Sequence, residues 1–145
     1  MTSPDPVDPA VGRPQRGDVL VVEDSPVGRL VARRILAHLS YRVDVATNGL
    51  EALEAMAGTD YAAVLMDCEM PQMDGYAATA EIRRREGDRR HTPIIAMTAS
   101  DSSAHRERCM DAGMDDYIVK PAQSADLDVV LAKWVGSLAP PGDQT

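Results

Sequence analysis

Apolar residues in this chain fall in short runs that alternate with longer periodic segments. Val19 to Val22 is a strand-like run that ends on the acidic pair Glu23-Asp24. Pro26 suits the first turn of a helix, and Val27, Leu30, Val31, Ile35 and Leu39 recur behind it at helical spacing as one apolar stripe. Val43 and Val45 mark a short strand. Asn48 is placed to cap a helix whose apolar face includes Leu50, Leu53 and Met56. Ala63 to Met66 predicts a third strand, which runs directly into Asp67, and a helix follows from about Gly75 to Arg85. "IIAMTA" after Pro93 predicts a fourth strand ending near Thr98. A polar helix around Ser102 to Ala112 stops at Gly113. Tyr117-Ile118-Val119 is the last strand, ending on Lys120-Pro121. Ser124 then precedes a helix with Leu127, Val130, Leu131 and Trp134 on one face.

Five strands alternating with five helices predict an α/β domain over residues 17–137. Parallel strands need crossovers, and helical crossovers cover both faces of the sheet, so the expected fold is a doubly wound five-stranded parallel sheet. Such sheets gather their reactive groups outside the carboxyl ends of the strands. Residues 1–16, "MTSPDPVDPAVGRPQR", carry four prolines and little periodicity, and read as a disordered arm. Residues 138–145 read as a disordered tail.

Composition narrows the partners. The 145 residues suffice for one domain, and the net charge of -8 argues against nucleic acid or an anionic membrane as a direct partner. No apolar stretch approaches the roughly 18 residues needed to span a bilayer, and no signal-peptide pattern opens the chain. Cys68 and Cys109 show no metal or redox spacing, which fits a reduced, cytoplasmic setting. Phe is absent, so Val, Leu, Ile, Ala and Met must build the core. The basic group "RRREGDRRH", Arg83 to His91, reads as the solvated end of a helix plus a loop.

The strand ends carry the chemistry. The first finishes on Glu23-Asp24, the third on Asp67, the fourth on Thr98 and the fifth on Lys120. Taken alone, Asp24 and Ser25 before a proline could simply cap a helix. Converging at one edge of a sheet, the three carboxylates repel one another, and a hard cation such as Mg2+ relieves that repulsion. A carboxylate nucleophile, a divalent cation, an ammonium and a hydroxyl are the parts that phosphoryl transfer to Asp67 would use.

"VVEDSPVGR", "VLMDCEMPQMDGY", "MTAS" and "DDYIVKP", in this order and spacing, resemble the receiver domain of two-component response regulators. "MDCEMPQMDG" is most similar to receivers of hybrid histidine kinases and phosphorelays. The resemblance implies a signalling switch that takes a phosphoryl group from a histidine kinase or histidine phosphotransfer protein onto Asp67. It implies no enzyme of metabolism, but a phosphoacceptor that catalyses its own phosphorylation and dephosphorylation with Mg2+. Asp24, Asp67 and the backbone carbonyl of Glu69 would hold the ion, and Glu23 would act largely through a metal-bound water. Lys120 would contact the phosphoryl oxygens, with its bond to Pro121 cis, and Thr98 and Tyr117 would form the switch pair. A downstream protein target would read the face of the fourth helix, fifth strand and fifth helix.

Other functions fit less well. A dehalogenase-type phosphatase would want an aspartate two residues after the nucleophile, where this chain has Glu69. A nucleotide-binding flavodoxin-like protein would want a glycine-rich turn in place of "VEDSPVGR". A receiver-like binding module independent of phosphorylation would normally lack the acceptor or the lysine. With no output domain after Val135, the chain reads as a stand-alone receiver or a segment of a larger protein, and Met1 favours the former.

Overall fold

The computed structural model describes residues 16–70 and 73–135. The expectations for the arm before Arg16 and for the tail therefore lie outside the described residues. Ten elements alternate in order: β1 (Gly17–Val22), α1 (Pro26–His38), β2 (Tyr41–Ala46), α2 (Gly49–Gly58), β3 (Ala63–Asp67), α3 (Gly75–Glu86), β4 (Ile94–Thr98), α4 (Ser103–Ala112), β5 (Asp116–Val119) and α5 (Ser124–Val135). The five strands form one parallel sheet in the order β2-β1-β3-β4-β5. The chain moves outward from β1 to β2, then returns across β1 to lay β3 on its other side. That reversal leaves a crevice at the carboxyl ends of β1 and β3.

Side chains of a strand alternate between faces, and the core divides accordingly. Leu20, Val22, Val64, Met66, Ile94 and Ala96 pack on one face with Leu53 of α2, Ile82 of α3 and Cys109 of α4. Val19, Val21, Ala63, Leu65, Ile95 and Met97 pack on the other with Leu36 of α1 and Leu127 and Leu131 of α5. Burial on both faces explains why β1, β3 and β4 read as unbroken apolar runs rather than alternating ones.

Local chemistry sets the helix starts. Ser25 Oγ accepts the Gly28 N–H at 3.2 Å, Asn48 Oδ1 accepts that of Glu51 at 2.9 Å, and Asp74 Oδ1 accepts that of Ala77 at 2.8 Å. Glu51 reaches back to the Thr47 N–H at 2.7 Å, a reciprocal pairing that closes the first turn of α2. Ser102 caps α4 in the same way through the His105 N–H.

Several sequence expectations are corrected. The predicted stripe of α1 is not its buried face: Val27 is 70% exposed, Leu30 and Val31 are also exposed, and Ala32 and Leu36 are the buried residues. Ile35 and Leu39 only flank the core. Leu50 is exposed too, and α2 is held by Ala52 and Leu53. β2 runs to six residues because it pairs along the full length of β1. Arg16, expected in the arm, stacks over the Tyr41 ring and pairs with Asp128 at 3.3 Å. The group from Arg83 is not uniformly solvated. Arg83 is largely buried, bonding Glu86 and Asp115 at 2.8 Å each and the carbonyls of Thr92 and Gly113.

Candidate functional site at the carboxyl edge of the sheet

Each strand delivers its polar residue with the backbone still engaged. Beyond β1, the Glu23 N–H continues the ladder to the Ala46 carbonyl at 3.0 Å. Beyond β3, the Cys68 N–H reaches the Met97 carbonyl, and beyond β4 the Thr98 carbonyl accepts the Lys120 N–H at 2.7 Å. Glu23, Asp67 and Thr98 are buried, whereas Asp24 faces solvent. The polar residues predicted at four strand ends thus meet at one edge.

Asp67 stands at the centre. Its Oδ1 accepts the Lys120 ammonium at 2.9 Å and the Glu69 N–H at 3.1 Å. Lys120 Nζ also lies 3.5 Å from Glu23 Oε1, so one ammonium is shared between two buried carboxylates. Glu23 Oε2 is held by the Ser25 N–H at 3.1 Å. Burial pushes the Glu23 carboxyl above its ordinary range; the Ser25 N–H partly opposes this, and the Asp67 charge adds to it. Burial alone would depress the Lys120 ammonium, but hydrogen bonding and attraction to Asp67, with the Glu23 charge behind, raise it.

Glu23, Asp24 and Asp67 each offer one oxygen, and the three oxygens lie within 4.8 Å of one another. Three carboxylates against one ammonium leave two negative charges uncompensated. Asp67 Oδ2 is buried and has no hydrogen-bond partner among the described residues. A buried carboxylate oxygen without a donor is costly, and a small oxygen-seeking divalent cation satisfies both that atom and the surplus charge. The residues fit such an ion.

Neighbouring groups complete the site. The Thr98 hydroxyl donates to the Ser100 carbonyl at 3.1 Å and accepts the Ser100 N–H at 3.2 Å, so it closes its own turn. Tyr117 is half-buried on β5; its hydroxyl accepts from Arg106 of α4 at 3.4 Å, and the Arg106 guanidinium lies over its ring. The peptide bond from Lys120 to Pro121 is cis, as expected.

Sequence reasoning passed over four contributors. A Cβ at Gly75 would lie 2.2 Å from the Asp67 carbonyl oxygen, so only glycine lets α3 start this close to Asp67. Arg29 donates to the carbonyls of Glu23 at 2.9 Å and Asp24 at 3.0 Å, pinning the acidic loop to α1. Cys68 and Cys109, 41 residues apart, bring their sulfurs to 3.9 Å in the core. Burial pushes the Cys68 thiol up to about 12, so it stays neutral beside Asp67. None of these has a spacing that marks it in the sequence.

The chain matches the family model of the response regulator receiver domain over residues 19–132. It is 41% identical over 117 residues to the hybrid signal transduction protein dokA of Dictyostelium discoideum, covering 81% of this chain and 7% of that protein. It is 37% identical over 120 residues to the sensor histidine kinase GacS of Pseudomonas protegens, covering 81% of this chain and 13% of that one. The chain thus spans a small part of the length of these curated relatives. Among solved structures, the receiver domain of a sensor histidine kinase from Pseudomonas aeruginosa, with a magnesium ion coordinated in its active-site cleft, superimposes with a TM-score of 0.76. That match has 45% identity and covers 83% of this chain and 98% of the other. The receiver of the Saccharomyces cerevisiae response regulator Ssk1, co-crystallised with the histidine phosphotransfer protein Ypd1, superimposes at 0.74 with 27% identity, covering 81% of this chain and 87% of that one. This chain belongs to the response regulator receiver domain family. Its fold is the five-stranded, flavodoxin-like fold of the receivers it matches, and no described helix is long and apolar enough to cross a membrane.

Proposed function

We propose that the protein is a phosphorylation-dependent signalling switch, accepting a phosphoryl group at Asp67 from the phosphohistidine of a histidine kinase or phosphotransfer protein. The observation that carries this reading is the Asp67 carboxylate, paired at 2.9 Å with Lys120 through one oxygen and left without a donor at the other, inside a three-carboxylate cluster. A carboxylate oxygen attacks phosphorus as the bond from phosphorus to the histidine nitrogen breaks, and the freed imidazole takes up a proton. Lys120 neutralises charge on the phosphoryl oxygens as it leaves its ion pair with Asp67. Glu23, Asp24, Asp67 and the Glu69 carbonyl would hold Mg2+, which supplies further charge neutralisation at those oxygens. The phosphorylation-independent binding module is the weaker reading, because acceptor and lysine are both present and in contact.

The metal reading has a direct test. Asp24→Ala is expected to weaken Mg2+ binding at least tenfold and to slow labelling by a phosphorylated kinase or a small phosphodonor in parallel. Calorimetry suits the measurement, because Trp134 donates to Asp116 at 2.9 Å and lies on α5 rather than at the acceptor. Unchanged Mg2+ affinity in the variant, or labelling at full rate in chelator, would remove the metal from the reading.

Output would run through Thr98 and Tyr117. A phosphoryl group on Asp67 brings acceptor oxygens to the adjacent strand end, and the Thr98 hydroxyl can exchange its Ser100 partner for one of them. Tyr117 would then leave Arg106 for the space vacated beside β4, changing the face of α4, β5 and α5 that a partner protein reads. A partner preferring the inward tyrosine shifts the equilibrium only by its differential affinity. Thr98→Ala is expected to accept the phosphoryl group yet lose most of the change at Tyr117. Amide shifts on beryllofluoride binding report both; full shifts around Tyr117 and α4 in the variant would exclude Thr98 as the link.

A further inference from the structure

Gly28 is the third residue of α1, and nothing about its backbone calls for glycine: it is absent from the residues with positive φ. Glycine inside a helix is disfavoured relative to alanine, because it loses more chain entropy on folding. What surrounds it supplies a different reason. A Cβ at this position would lie 3.0 Å from both Cγ and Cδ of Glu23 and 3.2 Å from its Oε1. The space that a side chain would occupy is already filled by the acidic side chain of the candidate metal cluster.

Glu23 has little freedom to move aside. It is buried, its Oε2 is bonded to the Ser25 N–H, and its Oε1 faces Lys120 at 3.5 Å. The backbone beneath it cannot shift readily either, because Arg29 grips the carbonyls of Glu23 and Asp24 from the next turn position. Contacts at 3.0 Å with Cγ and Cδ would therefore be relieved by rotating the Glu23 side chain about its inner bonds, which carries the carboxylate with it. Turning it would move an oxygen out of the cluster in which Glu23, Asp24 and Asp67 come within 4.8 Å.

We propose that Gly28 is a positioning residue for the Glu23 carboxylate, leaving room for the Cγ and Cδ atoms that carry it into the cluster. Glu23 and Gly28 then act as one unit: the Glu23 side chain beyond Cβ runs where a side chain at position 28 would stand. The inference rests on the metal reading above. It predicts that the order of effects inverts with the residue at position 23. Next to glutamate, alanine at position 28 crowds the site. Next to alanine at position 23, which has neither Cγ nor Cδ, it is simply a better helix residue.

The experiment is a square of four proteins of the whole 145-residue chain: wild type, Gly28→Ala, Glu23→Ala and the double variant. Each is titrated with Mg2+ by calorimetry and melted in chelator. Gly28→Ala is expected to weaken Mg2+ binding about tenfold, the scale at which residues supporting metal ligands act. The double variant is expected to bind within about twofold of Glu23→Ala and to melt above it. Equal weakening by Gly28→Ala in both backgrounds, or none beside Glu23, overturns the proposal. Should Gly28→Ala alone fail to fold, a folded double variant still supports the crowding, and an unfolded one overturns it. Wild-type protein that binds no Mg2+ sinks the metal reading and the role of Gly28 together. Wild-type binding untouched by Gly28→Ala sinks the role of Gly28 alone.

Discussion

Asp67→Asn is expected to reduce labelling by a phosphorylated kinase, and by a small phosphodonor in Mg2+, to background. An amide oxygen is a poor nucleophile, and the substitution also strips one carboxylate from the triad and the anionic partner from Lys120. Neither neighbouring carboxylate of the cluster is placed to take over. Asp24 is exposed and forms no ion pair among the described residues, while Glu23 is wedged between the Ser25 N–H and α1, with Lys120 at 3.5 Å against 2.9 Å for Asp67. Radiolabel transfer or intact mass measures the outcome. Labelling of the variant at the wild-type rate would place the acceptor elsewhere.

The largest loss of stability is expected far from the acceptor, at Arg83→Ala. Arg83 joins α3 to the segments flanking β4 and β5 through Glu86, Asp115 and two carbonyls. Removing it leaves two mostly buried carboxylates with only a distant Arg90 at 3.8 Å from Glu86 and the His91 ring on Asp115 as basic partners, which costs about 3 kcal/mol, or about 10 °C in melting temperature for a domain of this size. The pH dependence has a definite sign. Burial pushes the Glu86 carboxyl up, but the Thr92 N–H and the Arg83 guanidinium outweigh it and hold the group below its usual range. A depressed carboxylate stabilises the fold above its unfolded pKa, and that contribution is lost as pH falls through the folded pKa. The gap between wild type and variant should thus be widest near neutral pH and narrow below the ordinary glutamate range. Thermal melts across pH decide it; a gap that is small, or that widens in acid, would contradict the assignment.

The carboxyl edge of the sheet was legible because a strand buried on both faces must be apolar throughout. A single Asp at its end stands out against Val64-Leu65-Met66 and a Thr against Ile94-Ile95-Ala96-Met97, while Lys120 follows a more exposed edge strand. Periodicity was less informative on α1. There Val27, Leu30 and Val31 match the helical repeat of a core stripe, yet the sheet meets the helix on the side of Ala32 and Leu36. Charge runs are ambiguous for a related reason. Arg83, Arg84 and Arg85 are chemically alike, and only the rotation of α3 sends the first to Asp115 and the other two outward to Glu81. Close approaches leave no trace at all. The space that Gly75 yields to Asp67 and Gly28 to Glu23 exists only once distant segments have met.

The strand order has a consequence for the order in which the site becomes electrically whole. A chain grows from its amino end, and β1 and β3 bring Glu23, Asp24 and Asp67 together before any later strand is needed. Their counter-charge, Lys120, follows β5, the last strand made and the outermost on its side of the sheet. Any product that stops short of that strand carries the acidic triad without its ammonium. Charge balance at the acceptor is therefore a property of the completed sheet, and the final strand closes the circuit as well as the fold.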